Sequence, residues 1–255
     1  MRNRLLSWTG CLMFTAALEW TVMGRASAAE LDVSPVRLEL DSGARGVVMN
    51  VRNKGDQTTR FQASVYSWVQ DEEGRMSLAP TQDLFFFPSM LTLEPGESRP
   101  IRVGSSAAPQ DTERSFRIIV EELPPLQPSG QATGLNVLTR VSIPVFLAPK
   151  KKTLHGQIDE AILRESKFHV RVKNPGTVNF FVRNLRVRGL DAKGKRLVEQ
   201  EEPGWYVLAG DSQVYALEVA GKACRKVRTV EVEMETDQGV LRQTSPVTSP
   251  VPCAR

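Results

Sequence analysis

The sequence has almost none of the residues from which enzyme and metal sites are usually built. Its 255 residues include two histidines, His155 and His169, and neither has a cysteine or carboxylate at the spacing of a metal ligand. It has no glycine-rich phosphate loop, nucleophile elbow or serine–histidine–aspartate arrangement. We therefore expect a protein that is not an enzyme and binds no metal or cofactor.

Apolar runs long enough to cross a bilayer are also absent after residue 28. The first 28 residues have the order of a secretory signal peptide, with arginines, then an apolar stretch, then small residues. Cleavage after Ala28 or Ala29 predicts a soluble, exported chain with no membrane insertion. A lipoprotein anchored through Cys11 is disfavoured because Trp8 stands where a small aliphatic residue is needed.

A strong charge of either sign is missing once this leader is removed. The formal net charge falls from +4 to +2, because residues 1–28 contain three arginines and one glutamate. Lys150–Lys152 is the only tight basic run, and such a run is typical of a solvated linker. We therefore expect no nucleic-acid partner.

Cysteine is scarce, and its positions are informative. Of three cysteines, Cys11 lies in the leader, which leaves Cys224 and Cys253. An even pair in an exported chain indicates a disulfide, with two free buried thiols as the alternative.

Helical periodicity is not sustained over any dozen residues, whereas period-two alternation recurs throughout the chain. Turn residues separate the alternating segments every 8–12 residues or so, which is typical of β-sandwiches. We predict an all-β fold of two immunoglobulin-like β-sandwich domains in series, residues 29–149 and 150–255, after a signal peptide at 1–28. The alternating segments are 47–52, 60–69, 91–103, 116–123, 168–173, 180–188, 214–219 and 227–234.

The longest alternating run is LNVLTRVSIPVFLAP, residues 135–149. Side chains of one parity lie on one face of an extended chain, so this run predicts a long apolar ribbon. A strand near fifteen residues is far above the usual five or six. Pro144 donates no backbone hydrogen bond and predicts an interruption of the ribbon's pairing near its C-terminal end.

In this order, and behind a leader, several short segments resemble the periplasmic pilus-assembly chaperones of the PapD-like family. The segments are PVRL (35–38), FP (87–88), LEPG (93–96), IRV (101–103), ERSFR (113–117), EELP (121–124), AP (148–149), NP (174–175) and DQG (237–239). The resemblance covers essentially the whole chain after the leader, and the absence of one family lysine suggests the non-classical branch.

The resemblance implies a periplasmic chaperone that lends its long strand to a pilus subunit lacking the last strand of its own sandwich. The chaperone then delivers the subunit to an outer-membrane usher. On this basis we assign subunit binding to Leu135, Val137, Thr139 and Val141, with Ile143 and Val145 in the domain's own core. The alternative is that the first four also fill that core.

The resemblance also implies basic residues that bind the subunit's C-terminal carboxylate. The family's first-strand arginine matches Arg37, whereas its late-ribbon lysine falls at Pro144 and is missing. Arg117, in the otherwise apolar FRIIV segment, is our candidate for the replacement, and Arg140 is the second candidate. An exposed edge charge is the alternative for both.

Two further expectations follow from the resemblance. Glu113 and Asp237 match acidic members of the family's interdomain ion network, and Lys150 is a candidate for the missing arginine of that network. A different class of function, a two-sandwich surface adhesin or structural pilus component, remains open. It ranks lower because the aromatic residues are dispersed and the segment before the first strand is short.

Overall fold

The computed structural model describes residues 31–41, 46–124, 137–247 and 253, and the leader lies outside them. In this part of the chain nearly all regular structure is β, which confirms the all-β prediction of two sandwich domains. The only described helix, α1 (Gly221–Cys224), is one turn long. No helix of the described residues is long and apolar enough to span a membrane.

The first sandwich has two sheets with strand orders β1-β3-β8-β6 and β2-β10-β9-β4-β5, and β7 also pairs with β4. The chain changes sheet after β1, through a cis Ser34–Pro35 peptide bond, and enters β2. The strands are β1 (Leu31–Ser34), β2 (Leu38–Leu40), β3 (Val47–Asn53), β4 (Thr59–Gln70), β5 (Met76–Pro80), β6 (Leu84–Phe87), β7 (Met90–Leu93), β8 (Ser98–Ser105), β9 (Arg114–Glu122) and β10 (Arg140–Leu147).

The second sandwich has one sheet of order β11-β12-β16 and another of order β14-β13-β17-β18, to which β15 adds by pairing with β13. The predicted boundary after Pro149 falls in the connection between β10 and β11, and it stays a prediction. The strands are β11 (Gln157–Arg164), β12 (Lys167–Lys173), β13 (Phe180–Leu190), β14 (Arg196–Glu202), β15 (Tyr206–Val207), β16 (Ser212–Glu218), β17 (Thr229–Thr236) and β18 (Gly239–Pro246).

Each pair of sheets encloses its own apolar core, because one parity of each alternating strand turns inward. Phe61, Phe116 and Ile118 are fully buried in the first core. Phe168 and Val187 are fully buried in the second. Every alternating segment predicted from the sequence coincides with described strands.

A disulfide joins Cys224 in α1 to Cys253 near the C-terminus, with their Cα atoms 6.0 Å apart. The prediction of a disulfide is confirmed. The bridge ties the end of the chain to the second core, because Cys224 is buried there and Cys253 packs against it. The alternative of two free buried thiols is thereby removed for this pair.

A candidate strand-binding edge and interdomain cleft

Strand β10 has different neighbours at its two ends. Along its whole length, from Arg140 to Leu147, it pairs antiparallel with β9. On its other edge only Val145–Leu147 is paired, in parallel with β2. Among the described residues, no strand pairs with the other edge over residues 140–144. The first half of β10 is therefore a free sheet edge.

The backbone of this free edge presents its polar groups outward at Arg140 and Ser142. The amide of Glu122 donates to the carbonyl of Thr139 at 2.9 Å, which makes this a hydrogen-bonded pair of the β9–β10 ladder. Such pairs alternate along antiparallel strands, so Val141 bonds to β9 whereas Arg140 and Ser142 direct their N–H and C=O groups away from it. An incoming strand can use those groups.

Two expectations about the ribbon are wrong. The strand begins at Arg140, so residues 137–139 lie before it and Leu135 is outside the described residues. The regular ladder ends at Thr139, whose amide donates to the side-chain carboxylate of Glu122 at 3.1 Å. Pro144 does not interrupt the ladder with β9, since it pairs with Arg117 without a register shift. The missing N–H lies on the other edge, where the free part of the strand ends.

The predicted subunit-binding side chains pass from exposed to half-buried along the chain. The side chain of Val137 is 52% exposed and its neighbour Leu138 is 43% exposed. Thr139 is half-buried, and Val141 packs partly against the domain's own core. Ile143 and Val145 are buried in that core.

Arg117 lies on the outer face of the same sheet and is 3% exposed. Its Cζ is 3.9 Å from the ring centroid of Trp68 and 5.4 Å from that of Trp205. Its Nη1 donates a long hydrogen bond of 3.4 Å to the carbonyl of Ser142, on the free edge. Its Nε and Nη2 are buried with no acceptor among the described residues. Burial lowers the pKa of the Arg117 guanidinium, because desolvation disfavours the charged form.

An aromatic cluster surrounds this guanidinium and joins the two domains. Trp68 of β4 and Phe146 of β10 pack against Tyr206 of β15, with ring centroids 5.7 and 5.4 Å from that of Tyr206. Trp205, just before β15, stands edge-on to Tyr206 and Phe181 at 5.6 and 6.2 Å. The second domain therefore supplies one wall of the pocket around a first-domain arginine.

Gln70, at the end of β4, holds the segment that carries Trp205 and Tyr206. Its side-chain amide donates to the carbonyl of Tyr206 at 2.8 Å, and its side-chain oxygen accepts from the amide of Leu208 at 3.1 Å. These two bonds span the domains and fix the backbone of β15 beside Trp68.

Arg37 immediately precedes β2 and lies on the other side of the aromatic cluster. Its Cζ is 4.6 Å from the ring centroid of Phe146. Its Nε contacts Glu39 at 3.0 Å, and its Nη1 contacts Asp237 of the second domain at 3.9 Å. Because Leu38 pairs with Val145, Arg37 stands level with the end of the free edge.

A cleft of about 250 Å³ opens beside Arg37 between the domains. Glu113 lines it and accepts two hydrogen bonds from Asn179 of the second domain, from the backbone N at 3.0 Å and from Nδ2 at 2.6 Å. Burial raises the pKa of Glu113 despite these bonds. The carboxylate of Asp237 accepts from the amide of Phe181 at 2.9 Å.

The remaining candidates lie at the surface. Arg140 is exposed on the free edge, with Nε 3.8 Å from Glu121. Lys150 pairs with Asp111 at 3.2 Å, where both side chains are solvent-exposed. Among the described residues, no ion pair joins Lys150 to Glu113 or Asp237.

Sequence reasoning missed the aromatic residues and Gln70. Trp68 lies on the outward parity of an alternating strand, where a surface position is the usual expectation. Trp205 follows Pro203–Gly204, which indicates a turn and nothing about a neighbouring domain. The only usable signal was the Arg117 charge within FRIIV.

Comparison with known proteins agrees with this architecture. Residues 30–153 match the family described as pili and flagellar-assembly chaperone, PapD N-terminal domain. No curated protein matches the sequence.

Several solved structures share the fold across both domains. A chain of the CsuC-CsuE chaperone–tip adhesion subunit complex from the archaic Csu pili of Acinetobacter baumannii is 18% identical, with a TM-score of 0.55 and coverage of 85% of this chain and 97% of that chain. A chain of the Salmonella enterica SafA pilin–SafB chaperone complex is 15% identical, with a TM-score of 0.55 and coverage of 86% of this chain and 100% of that chain. The E. coli chaperone DraB is 17% identical, with a TM-score of 0.54 and coverage of 86% of this chain and 99% of that chain.

At these identities the structures establish a shared fold, and the family match adds the relationship in sequence. The two-sandwich architecture and the matched first domain agree with each other. The first domain, residues 30–153, belongs to the PapD N-terminal domain family of pili and flagellar-assembly chaperones, and both domains share the fold of solved fimbrial chaperones.

Proposed function

We propose that this chain is a periplasmic chaperone that lends the free edge of β10 to a pilus subunit with an incomplete sandwich and delivers that subunit to an outer-membrane usher. The observation that carries the proposal is the edge at residues 140–144, which no described strand pairs, beside an end of the same strand that is paired on both sides. The leader supports export. Two similar structures hold a chaperone together with a pilin or a tip subunit.

The free edge offers what strand addition requires. An incoming strand gains backbone hydrogen bonds from Arg140 and Ser142, while side chains of one parity enter its open groove. Leu135, Val137, Thr139 and Val141 are the side chains that we assign to that groove. A subunit lacking one strand exposes both core and unpaired edges, so covering them prevents aggregation.

The end of the free edge is where a carboxylate would be bound. Arg117 of β9 pairs with Pro144 of β10, and Arg37, just before β2, stands level with Pro144 on the other edge. An incoming strand parallel to β10 would end between them, because β2 already occupies the continuing edge. Nε and Nη2 of Arg117, which have no acceptor in the described part of the chain, suit a terminal carboxylate, because a carboxylate accepts two parallel hydrogen bonds from a guanidinium.

The interdomain contacts would keep this end of the edge in place. Glu113 bonds to Asn179 across the domains, and Asp237 lies within 3.9 Å of Arg37. We propose that both carboxylates orient the second domain around the anchor and do not themselves contact the subunit.

The test is co-production with a small secreted pilus subunit from the same source organism. We expect a soluble one-to-one complex on gel filtration, and we expect Val137→Asp to lose it while the melting temperature stays unchanged. The matched control is Val240→Asp, since Val240 is 46% exposed in the second domain against 52% for Val137. Equal complex yield from both variants would contradict the assigned edge, and incorporation of this chain into a surface polymer would support a structural pilus component instead.

A further inference from the structure

Arg117 is enclosed in the free chain. Its Nε and Nη2 are buried, and its Cζ lies 3.9 Å from the ring centroid of Trp68 and 5.4 Å from that of Trp205. A carboxylate cannot contact these nitrogens while both rings keep their places. If Arg117 binds a chain terminus, one of the covering groups has to move.

Trp68 is poorly suited to move. It is 2% exposed and packs against Phe146, Leu208 and Tyr206 in the cluster that joins the domains. Displacing its ring would open that cluster and leave an apolar cavity between the domains.

Trp205 is well suited to move, because the residue is 44% exposed while its backbone is held by hydrogen bonds. Its carbonyl accepts from the amide of Val182 at 2.9 Å. Gly204 lies so close to Val182 that a Cβ at Gly204 would overlap that side chain. Gln70 holds the carbonyl of Tyr206 on the other side. The ring can therefore change rotamer without a shift of the strand.

We propose that Trp205 is a gate: its ring covers Arg117 in the free chain and swings aside when a polypeptide carboxylate arrives along the edge of β10. This proposal rests on the proposed function and adds a source of selectivity to it. Small anions in solution meet a covered guanidinium, whereas a carboxylate at the end of a paired strand is held beside the gate until it opens. A cation–π contact compensates Arg117 in the closed state.

The gate can be tested without any subunit, by labelling arginines with phenylglyoxal and mapping the labelled peptides. We expect Arg117 to be protected in the wild type and in Trp205→Phe, and to be labelled about tenfold faster in Trp205→Ala, since an opened gate raises the accessible fraction. Arg140, which is 60% exposed at its side chain, is the internal control with an unchanged rate. Equal labelling of Arg117 in all three proteins would overturn the gate.

Binding separates failure of the gate from failure of the proposed function. The probe is an N-acetylated decapeptide of alternating valine and threonine, with either a free C-terminal carboxylate or an amide. For the free carboxylate, Trp205→Ala should raise the association rate about three- to tenfold over the wild type, with no such gain for the amide. Equal affinity of the two peptides for the wild type would contradict the anchor. A carboxylate preference with an unchanged association rate in Trp205→Ala would contradict only the gate.

Discussion

The two ends of β10 differ in partners although they continue one alternating pattern. The Arg140–Ser142 end has one neighbour and exposed or half-buried side chains, whereas the Val145–Leu147 end has neighbours on both edges and is buried. Alternation thus shows that a strand has an apolar face, and only its neighbours decide whose core that face completes. Arg117 and Arg37 stand where one end gives way to the other.

The largest expected effect is the difference in stability between variants that place an aspartate at the two ends of β10. Val145→Asp places a charge in the first core, where Val145 is fully buried, and should lower the free energy of unfolding by more than about 3 kcal/mol. Val137→Asp lies at the exposed end and should change it by less than about 0.5 kcal/mol. Urea denaturation of both variants measures the difference, and equal destabilisation would remove the distinction between the ends.

The next effect is a loss of subunit binding when Arg117, which stands where the free edge of β10 ends, is replaced. Arg117→Met keeps most of the side-chain volume and removes a buried charge, so the melting temperature should be unchanged or raised. Subunit binding should weaken by about 2–4 kcal/mol, because the carboxylate loses a buried charged partner.

Arg140→Met is the control for that variant, since its ion pair with Glu121 is exposed and should contribute less than about 1 kcal/mol. Calorimetric titration of a subunit with both variants measures the difference. A larger loss from Arg140→Met would move the anchor to the free edge itself.

A smaller effect probes the direction of the backbone groups. Ser142→Pro removes an N–H that points away from β9, so subunit binding should weaken by about 1 kcal/mol while the fold is retained. Ile143→Pro removes an N–H that pairs with β9 and should destabilise the fold by about 3 kcal/mol. Thermal unfolding and subunit titration of the pair decide this, and similar stability losses would show that the assigned register is wrong.

The smallest effect concerns Glu113 in the cleft. Its pKa is raised in the folded chain, so the folded state binds the proton more tightly than the unfolded state does. The associated stability is present below the ordinary pKa and is lost as the pH rises through the raised pKa. Glu113→Gln should flatten this part of the profile, measured as melting temperature from about pH 4 to about pH 8. An unchanged slope would assign that pH dependence to other carboxylates.

The strands found from the sequence are those with both faces defined by alternation. β3, β12 and β13 each bury one parity and leave the other exposed or half-buried, so their periodicity is visible. β5 and β14 were missed because they are edge strands with mostly exposed or half-buried residues, which leaves no clear apolar parity. Whether a strand lies at an edge depends on how the sheet is assembled, and the sequence of the strand alone does not show it.

The candidate site was predictable only in part for a similar reason. Arg117 was predictable because it is a charged residue in an apolar segment, and the structure places it in a buried aromatic pocket. Trp205 and Gln70 gave no signal, because their partners lie more than 80 residues away in the other domain. Contacts of that separation depend on how the domains meet.

The sequence by itself determined the all-β class, the disulfide and the family resemblance. These follow from side-chain periodicity, cysteine parity and local motifs, each of which acts within short stretches of chain. Tertiary structure alone decided that, among the described residues, β10 is free at one end, that Nε and Nη2 of Arg117 have no acceptor, and that Trp205 lies against the guanidinium. The physical reason is that an edge, an unpaired charge and a covering ring are each defined by neighbours from distant parts of the chain.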